Sequence, residues 1–259
     1  MDITDNALAP DNLYENLSFP DAEGDIPYIY ANMVCTIDGK TLLGPRGTSA
    51  KGLGGDTDQL LMRRIQNCSE AAIVGASTLR VGHVIYPQHL IRAVVTRSGD
   101  VPWSNRFFTD CPRKAIVFAP MAAKGEGFPS LPEGVRMIQV GEEDVDVEKV
   151  ARILRAQFNI RRLLLEGGAI LNGHFFRAGL VRELFLTLAP KLKGGDDSPG
   201  LMDGKGFEGN GFRELTLLSL YRAESELYAR YRVGSVKKDD AYNSGNCKIR
   251  FPSTSPNVK

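Results

Sequence analysis

The run Leu163-Leu164-Leu165 ends at Glu166 and passes through Gly167-Gly168 straight into Ala169-Ile170-Leu171-Asn172-Gly173. A short apolar run that stops at two glycines and restarts with helical character is a strand-to-helix turn of an α/β sheet. Glycine at such a turn adopts backbone conformations closed to other residues and lets a ligand approach main-chain N–H groups. The helix N-terminus that follows favours an anion such as a phosphate. Glu166 then stands at a strand tip, where open α/β sheets place their ligands. The same stretch also fits a plain turn carrying a surface glutamate, because short glycine motifs recur without ligands.

The rest of the chain repeats the pattern. Pro27 to Cys35 reads as a strand, Asp56 to Cys68 as a helix with Leu60, Leu61, Ile65 and Cys68 on one face, and Ala71 to Val74 as a buried strand ending at Gly75. Arg92 to Thr96, Ala115 to Ala119 and Val135 to Val140 read as further strands. Val145 to Phe158 reads as a helix, Arg161 to Leu165 as the strand before the glycine pair, and Ala169 to Ala178 as a helix. Beyond it come three strand-like segments without a helix between them: Glu183 to Ala189, Glu214 to Tyr221 and Glu226 to Val233. Strand–helix alternation followed by strands alone predicts an α/β fold: a largely parallel sheet flanked by helices, with an antiparallel C-terminal strand pair.

One domain is expected over residues 27–234. Residues 1–26 hold seven acidic residues and no lysine or arginine, so they read as a solvated acidic arm with little core to contribute. Residues 235–259 read as a polar tail. With 32 basic and 31 acidic side chains, no global field argues for a nucleic acid or a membrane surface, and a small-molecule partner fits. Four scattered cysteines without CxxC spacing and three histidines argue against zinc and against a disulfide framework, so no metal is expected. No apolar run approaches the roughly 20 residues of a membrane span, and no secretory signal is visible, so a cytoplasmic protein is expected.

Four further elements carry polar groups at strand ends. Thr36-Ile37-Asp38-Gly39-Lys40 places a carboxylate, a glycine and an ammonium together, although Asp-Gly is also an ordinary turn. Gly75-Ala76-Ser77-Thr78 offers close approach and two hydroxyls for a phosphate; Ser77 or Thr78 also suits a helix cap. Arg97-Ser98 suits a phosphate monoester. The loop Lys193 to Gly211, with seven glycines, reads as a mobile rim of a substrate site.

Taken in order, these motifs resemble the pyrimidine reductase family of riboflavin biosynthesis, which also forms the reductase half of the bifunctional deaminase–reductase. The resemblance runs from N-x-x-x-[ST]-x-D-G-K at Asn32 through Gly75-Ala76-Ser77-Thr78, Arg97-Ser98 and the Glu166-Gly167-Gly168 stretch to Pro190-Lys191-Leu192-Lys193-Gly194-Gly195. It implies a dihydrofolate-reductase-like fold and an NADPH-dependent reduction of a ribosylamino-pyrimidine 5′-phosphate to its ribitylamino form. It also implies a homodimer. Carried over by position, Gly75, Thr78, Gly167, Gly168, Ala169, Ile170 and Leu171 hold the cofactor, Val140 packs on it, and Arg97 with Ser98 meets its 2′-phosphate. Asn32, Asp38 and Glu166 face the substrate, with Asp38 and Glu166 as the catalytic carboxylates. The chain departs from the family at Leu79 to Pro87, where an acidic D-D-P stretch is expected, and it carries no deaminase zinc signature. That departure leaves room for an NADPH-dependent relative acting on another heterocycle, such as a pterin, or for a non-enzymatic binding protein of the same fold.

Overall fold

The computed structural model describes residues 12–22, 24–82, 84–123, 131–209 and 211–237. Within them, nine strands form one sheet: β1 Tyr28–Thr36, β2 Ala71–Gly75, β3 Ile91–Val95, β4 Ala115–Ala119, β5 Arg136–Gln139, β6 Arg162–Leu165, β7 Val181–Ala189, β8 Phe212–Ala223 and β9 Glu226–Lys237. Their spatial order is β5-β4-β3-β2-β6-β1-β7-β9-β8. The strands from β5 to β7 run parallel, and β9 pairs antiparallel with both β7 and β8. This is the α/β architecture expected from the strand–helix alternation. The helices are α1 Asp56–Asn67, α2 Ala76–Arg80, α3 Arg106–Thr109, α4 Val147–Phe158 and α5 Ala169–Arg177. No helix among the described residues is long and apolar enough to cross a membrane.

The sheet divides the core in two. One face packs Ile29, Ala31, Ile73, Leu163 and Leu165 against Val150 and Leu154 of α4 and Leu171 and Phe175 of α5. The other packs Tyr30, Ala72, Val74 and Leu164 against Ile65 of α1 and Phe107 and Phe108 of α3. All five residues of β2 and of β4 are buried, which is why these strands lack the apolar–polar alternation of a half-wet sheet. Helix α4 begins two residues later than the apolar stripe suggests. Asp146 caps it by accepting from Lys149 N at 3.1 Å, and Asn159 ends it in the left-handed region at φ 54°. In α1, Leu61 and Ile65 face the core while Leu60 is exposed.

The N-terminal arm departs from expectation where it is described. Leu13 is buried, Phe19 stacks on Tyr30 with ring centroids 4.1 Å apart, and Tyr14 meets Phe185 edge-on at 5.3 Å. Arg64 Nη1 ties the Leu13 carbonyl to α1 at 2.6 Å. The arm's acidic count concealed three apolar anchors, and their burial outweighs the solvation of its charges. Residues 1–11 lie outside the described residues. At the other end, Ser235 to Lys237 belong to β9 rather than to a tail, and residues 238–259 lie outside the description.

Candidate active site

The parallel strands end on one side of the molecule, and there the chain turns into α2 after β2 and into α5 after β6. The second turn needs its glycines. Gly167 has φ +90° and Gly168 φ +46°, both in the region that side chains disfavour. Gly75 N donates to Gly167 O at 2.9 Å, which locks the two turns side by side. A Cβ on Gly168 would lie 3.4 Å from Ser77 Oγ and 3.7 Å from Thr78 Oγ1, so the start of α2 packs on the glycine pair. Ser77 and Thr78 sit inside α2, and neither caps it.

Against these turns opens a cavity of about 780 Å³. Its wall includes Gly75, Arg97, Ser98, Gly168, Ile170 and Leu171 of the residues expected at a cofactor, whereas Thr78, Val140, Gly167 and Ala169 are absent from it. Val140 is buried in the core, and Val145 and Val147 line the cavity instead. Ala169, Ile170 and Leu171 form the first turn of α5, and the first helical bond is Asn172 N to Gly168 O at 2.9 Å. Their three N–H groups therefore have no partner within the helix. Arg80, Arg97, Arg177 and Lys205 supply positive charge to the wall, against Glu143 and Asp144. Such a lining suits a ligand with several negative charges. Arg97 Nε lies 3.0 Å from Asp144 Oδ1, and both are exposed. His174 is held below its usual pKa, first by burial and then by Arg177, so it is neutral at pH 7. Sequence reasoning overlooked His174 and Arg177. Counting four and seven residues on from Ile170 along one helical stripe would have found both.

The long loop between β7 and β8 forms the cavity rim, and it is pinned where described. Asp203 N donates to Ala169 O at 2.9 Å, Asn172 Nδ2 to Leu201 O at 2.8 Å, and Arg177 to the Lys205 carbonyl. At Gly173 the crossing is so close that a Cβ would lie 2.2 Å from Asp203 O. The expected mobile rim of the substrate site is, over residues 199–205, a strap across α5.

The three residues expected at the substrate are not all neighbours. In the β1–β6 register Ala31 faces Leu165, so Asn32 and Glu166 follow side by side on the sheet face that carries Tyr30 and Leu164. β6 pairs with β1 only over Tyr28–Ala31, and β1 runs on past its tip to Thr36. At about 3.3 Å per residue, Thr36 lies roughly 13 Å beyond Asn32, and Asp38 lies farther still. Asp38 accepts from Lys193 N at 3.1 Å and Gly194 N at 2.7 Å, clamping the start of the long loop. Hydrogen bonds from Thr36 and then from those two N–H groups hold its carboxyl well below the usual range, so it is ionised. Glu166 is the opposite case. Burial pushes its pKa up, opposed by the hydrogen bond from Gln66 and by Arg63. Gln66 Nε2 donates to Glu166 Oε1 at 2.8 Å.

Residues 27–228 match the sequence profile of the RibD C-terminal domain, most of the chain. The chain belongs to the RibD C-terminal domain family. The 2,5-diamino-6-ribosylamino-4(3H)-pyrimidinone 5′-phosphate reductase of Methanothermobacter thermautotrophicus is 26% identical over 218 residues, covering 80% of this chain and 98% of that one. The enzyme of the same name from Aquifex aeolicus is 29% identical over 192 residues, covering 70% and 85%. A pyrimidine reductase-like protein of Corynebacterium diphtheriae shares the fold, with a TM-score of 0.66 at 23% identity over 80% of this chain and 92% of its own. Within the RibD C-terminal domain family, then, this chain places a charged cavity and a half-buried carboxylate on opposite sides of one turn.

Proposed function

We propose that this chain is an NADPH-dependent reductase that converts 2,5-diamino-6-ribosylamino-4(3H)-pyrimidinone 5′-phosphate to its ribitylamino form in riboflavin biosynthesis. The observation that carries this reading is the turn Glu166-Gly167-Gly168. Gly168 stands in the wall of the cavity, and Glu166, two residues earlier, stands on the other sheet face beside Asn32. On this reading the turn would let a cofactor in the cavity and a substrate beside Glu166 meet at a backbone that carries no side chain. The relatives named for this reaction align over most of their length.

The cavity fits a dinucleotide phosphate. Its volume of about 780 Å³ lies in the usual range for cofactor sites, and the α5 N-terminus with four cationic side chains matches the phosphates. Arg97 with Ser98 would meet the 2′-phosphate, Gly75 and the Gly167–Leu171 segment the pyrophosphate and nicotinamide side, with Thr78 supporting the glycine pair and Val140 the apolar wall from below. The cofactor supplies the hydride that C1′ of the opened ribose receives. Glu166, with its pKa raised, is suited to hold a proton at the sugar oxygen freed by ring opening. Asn32 would fix the substrate beside it. Asp38 has acceptor sites left beyond its two loop contacts, and these would take hydroxyls or water at the far end of the substrate.

We further propose a homodimer through β8, which among the described residues is the outermost strand and pairs only with β9. Phe212, Leu215, Leu217, Leu218 and Leu220 are exposed on this one edge strand, which a soluble chain normally covers. The unpaired Cys35, Cys68 and Cys111 suit a reducing, cytoplasmic compartment. The test is NADPH oxidation with the ribosylamino-pyrimidine phosphate in its diamino and its deaminated form. Turnover is expected with the diamino substrate, and consumption with neither form would refute the reading.

A further inference from the structure

The N-terminal arm, described over residues 12–22, precedes the family-matched residues 27–228 and packs on the sheet face that carries Asn32. Leu13 clusters with Leu61 of α1 and Tyr228 of β9, and Arg64 Nη1 holds its carbonyl. Phe19, stacked on Tyr30, also lies under the Arg230 guanidinium, 5.4 Å from its ring centroid. Arg230 is fixed in turn: its Nε donates to Glu183 Oε2 at 2.6 Å, while the Tyr28 hydroxyl donates to Glu183 Oε1 at 2.8 Å. Between the anchors at Leu13 and Phe19, Tyr14 has φ 62°. A tyrosine in the left-handed region is strained backbone, kept only where its surroundings fix it, and such residues gather at functional sites.

The Tyr14 ring meets Phe185 edge-on, with centroids 5.3 Å apart, and Phe185 is the register partner of Asn32 on β7. Adjacent strands lie about 4.8 Å apart, so Tyr14 stands over the strand next to Asn32. Both residues line one narrow cleft with Asp58, Ile65 and Thr187, of about 10 Å³, room for about one water. Asn32 is half-buried, and its side-chain amide has no hydrogen-bond partner among the described residues. We propose that Tyr14 is a positioning residue for the substrate: it fills the space beside Asn32, shuts bulk water out of the cleft and leaves the Asn32 amide to the pyrimidine. The inference rests on the reading of Asn32 as a substrate contact. No residue of the described arm lines the cofactor cavity, so the effect of the arm falls on the substrate and not on NADPH.

The test compares Tyr14→Gly, Tyr14→Phe and Asn32→Ala by substrate KM, kcat and NADPH dissociation constant. Glycine accepts φ 62° readily, so Tyr14→Gly removes the ring without disturbing the backbone of the arm. Its KM should rise about three- to ten-fold, the worth of one neutral hydrogen bond, with kcat and NADPH affinity nearly unchanged. Tyr14→Phe, which keeps the ring, should match the unaltered protein. In an Asn32→Ala background, Tyr14→Gly should add nothing. In the unaltered protein the Tyr14 ring resonance should move when the pyrimidine is added to the NADP+-saturated chain, a readout that needs no variant to fold. The positioning role is overturned by an unchanged KM in a Tyr14→Gly chain that binds NADPH, by an effect that adds to Asn32→Ala, or by a Tyr14 resonance blind to the pyrimidine; the reductase reading then still stands. An Asn32→Ala chain with unchanged KM instead overturns the substrate reading of Asn32 and the inference with it.

Discussion

Gly173→Ala is the substitution whose sign the strap geometry decides. Gly173 lies inside α5, and in a helix interior alanine is favoured over glycine by about 0.8–1.0 kcal/mol. Propensity alone therefore makes this a stabilising change. The strap reverses the expectation. The new Cβ would lie 2.2 Å from the Asp203 carbonyl oxygen, where ordinary contact begins near 3.4 Å. The helix is packed on Phe175 and Phe176, so the strap is the part that retreats, by about 1 Å.

That retreat stretches Asp203 N to Ala169 O, now 2.9 Å, and Asn172 Nδ2 to Leu201 O, now 2.8 Å. Two hydrogen bonds at about 0.5–1.5 kcal/mol each cost roughly 1–3 kcal/mol, enough to cancel or exceed the helix gain. Gly204 and Lys205 of the same strap belong to the cavity wall, so the loss falls on cofactor binding. We expect the NADPH dissociation constant to rise about ten-fold, the equivalent of roughly 1.4 kcal/mol, with the melting temperature level or lower. Cofactor fluorescence titration and a thermal melt measure both. A raised melting temperature with unchanged NADPH affinity would refute the reasoning, since that is what helix propensity delivers when nothing is in the way.

Arg97→Ala should reduce the preference for NADPH over NADH by about ten-fold, the low end for a charge-assisted contact because Arg97 is exposed and shared with Asp144; equal loss for both cofactors would remove it from the 2′-phosphate. Gly168→Val, at φ +46° and 3.4 Å from Ser77 Oγ, should abolish NADPH binding while circular dichroism shows a folded chain, and retained affinity would reduce the pair to a turn. Glu166→Gln should keep most NADPH affinity and lose at least about ten-fold in turnover, because a misoriented reacting carbon forfeits much of its proximity advantage; unchanged turnover would remove the residue from the chemistry. Its pH signature follows from the raised pKa. The folded state keeps the proton between the unfolded and folded pKa values, so stability falls as pH rises through that window, and the glutamine variant should lose this slope in denaturant melts.

The sheet was legible in the sequence because its information is local. Runs such as Ala71-Ala72-Ile73-Val74 satisfy their burial in a covered parallel sheet, and the glycine pair announces a turn that needs positive φ. Boundaries moved where a cap decided them, as Asp146 does for α4. The arm was misjudged because charge counting weighs seven carboxylates and does not register where Leu13, Tyr14 and Phe19 find an apolar face. The cavity wall was half legible. Strand-end residues such as Gly75, Arg97 and Ser98 carry a local signal, whereas Glu143, Asp144 and Lys205 reach the wall only because α4 and the strap bring them there.

Asp38 and Glu166 show why a carboxylate in a motif says less than a carboxylate in a place. Both stand after strands at the same edge of the sheet, and the sequence offers no reason to treat them differently. Their surroundings drive them apart. Asp38 is exposed and takes two main-chain N–H groups, which favour its charge. Glu166 is half-buried and held by Gln66, and burial works against its charge. An ionised group that ties two loops together and a group whose charge its surroundings disfavour are different tools. The first keeps β1's overhang and the long loop in one frame; the second, on the proposed reading, would supply acid beside the turn at Gly167.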